Sequence, residues 1–441
     1  MRRIPGLALS LAALLPAALS AETKLLENFT LIDGEGGPAV PNAALLVVDG
    51  RITYAGPKSG VKAPAGAERT DLTGKFVMPG IINLHGHLGN TTGLVQDPKN
   101  FTLDNLNKQL ATYARFGVTT VVTMGSEQEL IFDARTRQRS GRDAHTRIFT
   151  AYRGFTGAGG YPTKAPGMHG VPFEVSTPAQ VEEALNVLAM KKVDLVKIWV
   201  DDHLGKEPKI SMDLCKAIIA GARKRGLPVA AHVFYLDDAK QMVAAGLHGV
   251  AHSVRDKLVD DEYIQLMKKH GAFQIATLTR EASMFAYGQN AAFLKDPLLA
   301  QAVDPETLKT IRSPAYQKKQ ADDKETHLWP GFLKNAQANL KKLYDSGVKV
   351  GFGTDTGPPS RFSGYFEHWE MELMAEAGLT PAQIIQTFSK NAAEYLGKSK
   401  EMGTLTKGHW ADLVVLGKNP LADIKNARTI ETVWIAGLKA N

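Results

Sequence analysis

The chain has 441 residues, 44% of them hydrophobic and 22% charged, enough for one large buried core or two. Its 52 lysines and arginines exceed its 45 acidic residues, for a formal charge of +7. No dense basic run with interleaved aromatics occurs, so the excess reads as a solvated surface and argues against nucleic-acid binding.

Arg2 and Arg3 precede an apolar run at 7–19, and Ala18-Leu19-Ser20-Ala21 supplies small residues for cleavage. Residues 1–21 therefore read as a bacterial-type signal peptide. The run is shorter than the roughly 20 apolar residues that span a bilayer, so no stable membrane anchor is expected after cleavage. The mature protein is expected to be periplasmic or secreted. Cys215 is the only cysteine. No intrachain disulfide can form, and the residue reads as a small buried side chain.

Short apolar runs at 28–32, 44–48 and 51–55, with the turn Asp49-Gly50, predict hairpins. The chain end repeats that character at 411–416 and 432–437. Each piece alone is too short to enclose a core, so 22–75 and 401–441 are expected to build one small β-sandwich domain together. Residues 76–400 instead alternate strand and helix, the rhythm of a parallel sheet. Strand candidates fall at 76–87, 118–124, 147–152, 195–200, 228–233, 249–253, 273–278 and 348–354, with helical patterns at 178–191, 213–225 and 239–245. Eight such units fit an α/β fold of the closed (β/α)8, TIM-like kind. A doubly wound open sheet is the alternative, although no glycine-rich phosphate loop follows the first strand. Residues 280–345 break the rhythm. With Pro297, Pro305, Pro314 and Pro330 among short helical pieces, they are expected to form an extended loop over the barrel mouth, ending in a helix at 332–344, with a lid or substrate wall and a merely decorative insertion as equal readings.

Candidate metal ligands lie where a barrel enzyme puts its chemistry, at the C-terminal ends of strands. His85 and His87, one residue apart, point to the same side of an extended strand and suit a divalent transition metal, zinc first. Alone, a His-x-His pair is more often a surface or core feature than a metal site. Here the pattern recurs: Lys197 lies on strand four, His232 on five, His252 on six and Asp355 after eight.

These positions, with the flanking text at 78–87, 246–253, 353–356, 377–381 and the tail 403–416, resemble the amidohydrolase superfamily. The likeness is to its imidazolonepropionase-like and metal-dependent dipeptidase (prolidase-like) branch, over nearly the whole mature chain. It implies that His85, His87 and Asp355 hold one ion, that His232 and His252 hold a second, and that Lys197 bridges them as an N6-carboxylated lysine. Two divalent ions, Zn2+ first, are thus implied, with a mononuclear site as the fallback if Lys197 is unmodified. A lysine ammonium beside a dication is disfavoured, whereas its carbamate is an anionic two-oxygen ligand. Water shared by such ions would become hydroxide near neutral pH, and Asp355 could take its proton and pass it to the leaving nitrogen. The expected activity is hydrolysis of an amide bond in a dipeptide or N-acyl amino acid. Cyclic amide or lactone hydrolysis and deamination are close alternatives. A non-catalytic exported binding protein is the contrasting class, and loss of a ligand would be its mark.

Arginine suits two-pronged binding of a carboxylate, and Arg153, Arg255, Arg280 and Arg361 follow strands three, six, seven and eight. A substrate with a free C-terminal carboxylate is therefore expected. Arg153, Arg361, Tyr152, Tyr235 and His169 are the candidate substrate residues, each equally readable as loop packing. The expected partner is a small molecule or short peptide. A homo-oligomer is compatible with the resemblance, but no interface is legible.

Overall fold

The computed structural model describes residues 22–289 and 291–440. The proposed signal peptide lies outside the described residues. The middle of the chain builds parallel strands whose C-terminal ends face one mouth. Strands one to three are Ile81–Gly86, Val118–Thr123 and Arg147–Thr150, paired in that order. Strands four to eight are Val196–Val200, Val229–Val233, Gly249–Ala251, Phe273–Ala276 and Lys349–Phe352, again paired in sequence within a seven-stranded sheet. Backbone bonds link the two sheets at both margins. Asp194 N–H donates to the Thr150 carbonyl at 2.9 Å, and Asp355 N–H donates to the His85 carbonyl at 2.8 Å.

These strands are buried on both faces, which explains their near-continuous apolar runs. On the inside, Ile82, Leu84, Val122, Phe149, Ala230 and Ile275 form a compact cluster. On the outside, amphipathic helices lay their apolar stripes against the sheet. Helix Met212–Lys224 buries Cys215, Ile218, Ile219 and Ala222, the small-residue role expected of the cysteine. Ser211 caps that helix, accepting from Leu214 N–H.

Both chain ends enter one eight-stranded sheet. Leu26, Leu45 and Val47 from the first part pack with Leu413, Val415 and Trp434 from the last. One boundary differs from expectation. The stretch 76–87 divides at Gly80: Phe76–Pro79 pairs with Thr23–Leu31 and Leu413–Leu416, while Ile81–Gly86 enters the parallel sheet. A Cβ at Gly80 would lie 2.2 Å from the Thr119 side chain, so the crossing is made where only glycine fits.

The segment 280–345 is not the extended loop expected. It forms the helices Leu278–Gln289, Ala291–Leu294, Pro297–Ala302, Pro305–Arg312, Pro314–Ala321 and Trp329–Asp345. Its prolines begin helices instead of breaking them. Pro297, Pro305 and Pro314 each follow a capping residue, Asp296, Asp304 and Ser313 respectively, at the first helical position where a missing N–H costs nothing. Leu298, Leu299 and Ile311 pack with Phe293, Tyr365 and Phe366, which fixes this stack beside the mouth.

Candidate metal centre

His85 lies near the end of strand one and His87 one residue past it. His87 Nε2 lies 3.1 Å and His85 Nε2 3.2 Å from the same Asp355 oxygen, Oδ1. His252 joins them from strand six, its ring centroid 4.5 Å from that of His85 and 4.5 Å from that of His232. Ligand atoms of His85, His252 and Asp355 all lie within 4.8 Å of one another. Two of these residues hold left-handed backbone angles that side chains disfavour, φ 58° at Asp355 and 73° at His252. Such local strain, of order 1–3 kcal/mol per residue, persists where the surrounding structure over-determines it.

Three of the rings are oriented from behind through one nitrogen. His87 Nδ1 pairs with Ser126 Oγ at 2.8 Å, His252 Nδ1 with Thr277 Oγ1 at 2.7 Å, and His232 Nε2 with Asp201 Oδ2 at 2.5 Å. That is how protein sites orient imidazole ligands. His85 Nδ1 is buried with no hydrogen-bond partner among the described residues. Lys197 lies fully buried among these groups, and its Nζ likewise has no partner there.

Burial dominates the protonation of this cluster. It drives His85 and His252 well below the ordinary histidine value and His232 down to about 4, leaving neutral imidazoles. His87 is raised: burial would lower it, but the nearby Asp355 and Glu127 carboxylates, which favour the charged ring, outweigh that. Burial also lowers Lys197 to about 7. The same burial would raise Asp355, but the Arg361 guanidinium in contact with it, and then His85, hold its carboxyl well below the usual range.

A cavity of about 120 Å3 opens on the cluster, bordered by His85, His87, His232, His252, Asp355 and Arg361. Its other wall is largely apolar, built from Leu88, Tyr161, Ala165, Met168 and Trp199. Thr91, Gly357, Pro358 and Arg361 separate it from an outer chamber of about 400 Å3, where Asn105, Lys108, Gln109, Asp304 and Thr307 contribute polar groups. From the segment 280–345, Ala302, Val303, Asp304 and Thr307 border this outer chamber.

All the ligand candidates thus surround or adjoin one cavity, whereas of the substrate candidates Arg361 alone borders it. Arg361 lines both chambers. Arg153 instead donates to the carbonyls of Gly170 and Val171 and stacks on Phe173, its guanidinium spent on its own loop. Tyr152 bonds Glu129 and Tyr235 bonds Asp202. His169 borders a separate depression with Tyr152 and Arg153. Arg255 is fully buried against Glu281. An arginine or tyrosine after a strand meets its own loop's acceptors as readily as a ligand, and spacing does not distinguish them.

The sequence reading missed the groups behind the rings. Asp201 was accessible to it, because Lys197, Trp199 and Asp201 share one side of an alternating strand. Ser126, Thr277 and Glu127 carry no comparable signal.

Parallel strands that deliver imidazoles, a lysine and an aspartate to one mouth define a metal-dependent hydrolase of the barrel type. The pattern of the Amidohydrolase family matches residues 76–439, and the chain belongs to that family. Ochratoxinase from Aspergillus niger is 24% identical over 446 residues, covering 92% of this chain and 84% of that protein. Imidazolonepropionase from Caldanaerobacter subterraneus is 23% identical over 425 residues, covering 86% and 84%. A Xaa-Pro dipeptidase solved with bound methionine in its active site shares the fold with a TM-score of 0.76 at 22% identity, covering 95% of this chain and 99% of that one. Membership gives the chain a TIM-like barrel and the general chemistry of metal-dependent hydrolysis at carbon–nitrogen bonds.

Proposed function

We propose that this protein is an exported, two-metal amidohydrolase that cleaves the amide bond of an N-acyl amino acid or dipeptide bearing a free carboxylate. The observation that carries the reading is the buried, unpartnered Lys197 Nζ beside three neutral imidazoles and Asp355. His85, His87 and Asp355 would hold one divalent ion, His232 and His252 another, and Lys197 would bridge them as a carbamate. An unprotonated amine is the form that adds carbon dioxide, and burial keeps Lys197 close to that form near neutral pH. Zinc suits the imidazole and oxygen donors. Ions bound there would acidify water and polarise the scissile carbonyl.

The remaining work falls to the chain itself. Asp355 accepts the proton of the attacking water and returns it to the leaving nitrogen. Arg361, at the junction of the two chambers, receives the substrate carboxylate. The wall of Leu88, Met168 and Trp199 takes an apolar group and keeps bulk water away. Around this centre we place a closed barrel and an end sheet coiled into a sandwich, the two domains meeting at Gly80, with residues 1–21 removed on export. Membership of the Amidohydrolase family supports the reaction class.

The test is a screen of zinc-loaded mature protein against dipeptides and N-acyl amino acids, each paired with its C-terminal amide. The reading predicts turnover of acids with apolar acyl or N-terminal groups and much weaker turnover of the amides. Equal turnover removes the carboxylate recognition. No hydrolysis of any member, with no metal retained, favours a binding protein.

A further inference from the structure

Helix Tyr365–Glu376 follows strand eight and carries Glu367 and Glu370 one turn apart, both at 0% exposure. Neither borders the cavity. Burying two acids on one helix face is costly unless every oxygen is occupied, and here each oxygen is. Glu367 Oε1 accepts from Asn83 Nδ2 at 2.8 Å, Thr354 Oγ1 at 2.8 Å and Thr356 Oγ1 at 3.1 Å, while Oε2 accepts from Gly364 N–H at 2.6 Å. Glu370 Oε1 accepts from Leu278 N–H at 2.8 Å, and Oε2 from Thr279 N–H at 2.7 Å and Thr279 Oγ1 at 2.7 Å.

The groups they grip lead directly to the centre. Asn83 Oδ1 accepts from His85 N–H at 2.9 Å, on strand one. Thr354 and Thr356 flank Asp355, whose own N–H donates to the His85 carbonyl at 2.8 Å. Leu278 and Thr279 follow Thr277, whose hydroxyl meets His252 Nδ1 at 2.7 Å. The Thr279 hydroxyl also lies 3.1 Å from the Thr354 carbonyl, tying the end of strand seven to that of strand eight. We infer that Glu367 and Glu370 are positioning residues for the metal centre. The pair fixes the ends of strands one, seven and eight in the arrangement in which His85, His252 and Asp355 converge. This rests on the metal-site reading above.

All of these partners are donors, so replacing carboxylate by amide sets an N–H against an N–H. The substitutions are Glu367→Gln and Glu370→Gln, with Thr279→Val as the milder change. Glu372→Gln is the control: it sits on the same helix but pairs with Arg428, away from the centre. Each full mature protein is stripped, titrated with cobalt(II) alone and followed by its visible spectrum, alongside a melting curve of the metal-free form. The two Gln variants are expected to bind cobalt roughly 10- to 100-fold more weakly, with an altered spectrum. Thr279→Val is expected to lose about 3- to 10-fold. Glu372→Gln is expected to lower melting alone. The inference is overturned if all three site variants keep wild-type cobalt affinity and spectrum, or if Glu372→Gln shifts them equally. Should the Gln variants not fold, Thr279→Val decides by the same readouts. A wild-type protein that binds no cobalt overturns the metal-site reading as well, which separates the two failures.

Discussion

Arg361 gives the most discriminating prediction, because it touches two things at once. Its Nη1 pairs with Asp355 Oδ2, and its side chain lines both the metal-side cavity and the outer chamber. Replacing it with Met removes a fork that would hold the substrate carboxylate through charge-assisted bonds. Such bonds are each worth roughly 1.5–3 kcal/mol, so losing the fork should cost about 3 kcal/mol in transition-state binding. That corresponds to about 150-fold in kcat/KM. The substitution also frees Asp355 from the cation that depresses its carboxyl, and this second effect falls on every substrate alike. The assay therefore measures kcat/KM for an N-acyl amino acid and its C-terminal amide, on wild type, Arg361→Met and Arg361→Lys. The acid should lose about 150-fold more than the amide in Arg361→Met. Arg361→Lys should recover only part, since an ammonium cannot fork. Equal losses for acid and amide would show that Arg361 serves Asp355 alone and would refute carboxylate recognition.

Asp355→Asn should lower kcat by roughly 10²–10⁴-fold, the worth of a positioned proton acceptor, with an unchanged circular dichroism spectrum; a variant retaining near-wild-type kcat would assign the proton to another group. His368, buried with Nε2 bonded to the Phe116 carbonyl, is lowered to about 4 by burial. As pH falls below the unfolded histidine value near 6.5, the unfolded chain takes up that proton first, so stability is lost between about 6.5 and 4. Denaturant melts of His368→Gln should show a shallower decline than wild type over that window, and parallel curves would count against it. Gly80→Ala should cost about 1–3 kcal/mol in the same melts, because its Cβ would lie 2.2 Å from the Thr119 side chain; an unchanged midpoint would mean that the crossing between sheets adjusts freely.

Much of the architecture could be read before the structure because the strands are buried on both faces and so appear as uninterrupted apolar runs ending in polar residues. His85, His232, His252 and Asp355 fall at or just past those ends, and the structure gathers them with His87 about one cavity, with Lys197 buried within strand four behind it. Alternation alone could not show that 76–87 serves two sheets, since the turn at Gly80 is set by the nearness of Thr119. The prolines of 280–345 misled because a proline that starts a helix and one that breaks a helix differ only in the cap before it, here Asp296, Asp304 and Ser313. Arg153 misled for a different reason: its acceptors are the carbonyls of Gly170 and Val171, close in sequence but without any side-chain signature. Nothing in the sequence sets Glu367 and Glu370 apart, because only the fold brings Asn83, Thr279 and Thr354 to them.

The metal content of the purified chain tests the two-ion centre most directly. Mature protein reconstituted with zinc and bicarbonate, then desalted, should carry two ions per chain by elemental analysis. Lys197→Ala, or wild type loaded without carbon dioxide, should carry no more than one. Two ions retained in Lys197→Ala would contradict the bridging lysine, and none retained by the wild type would contradict the centre itself.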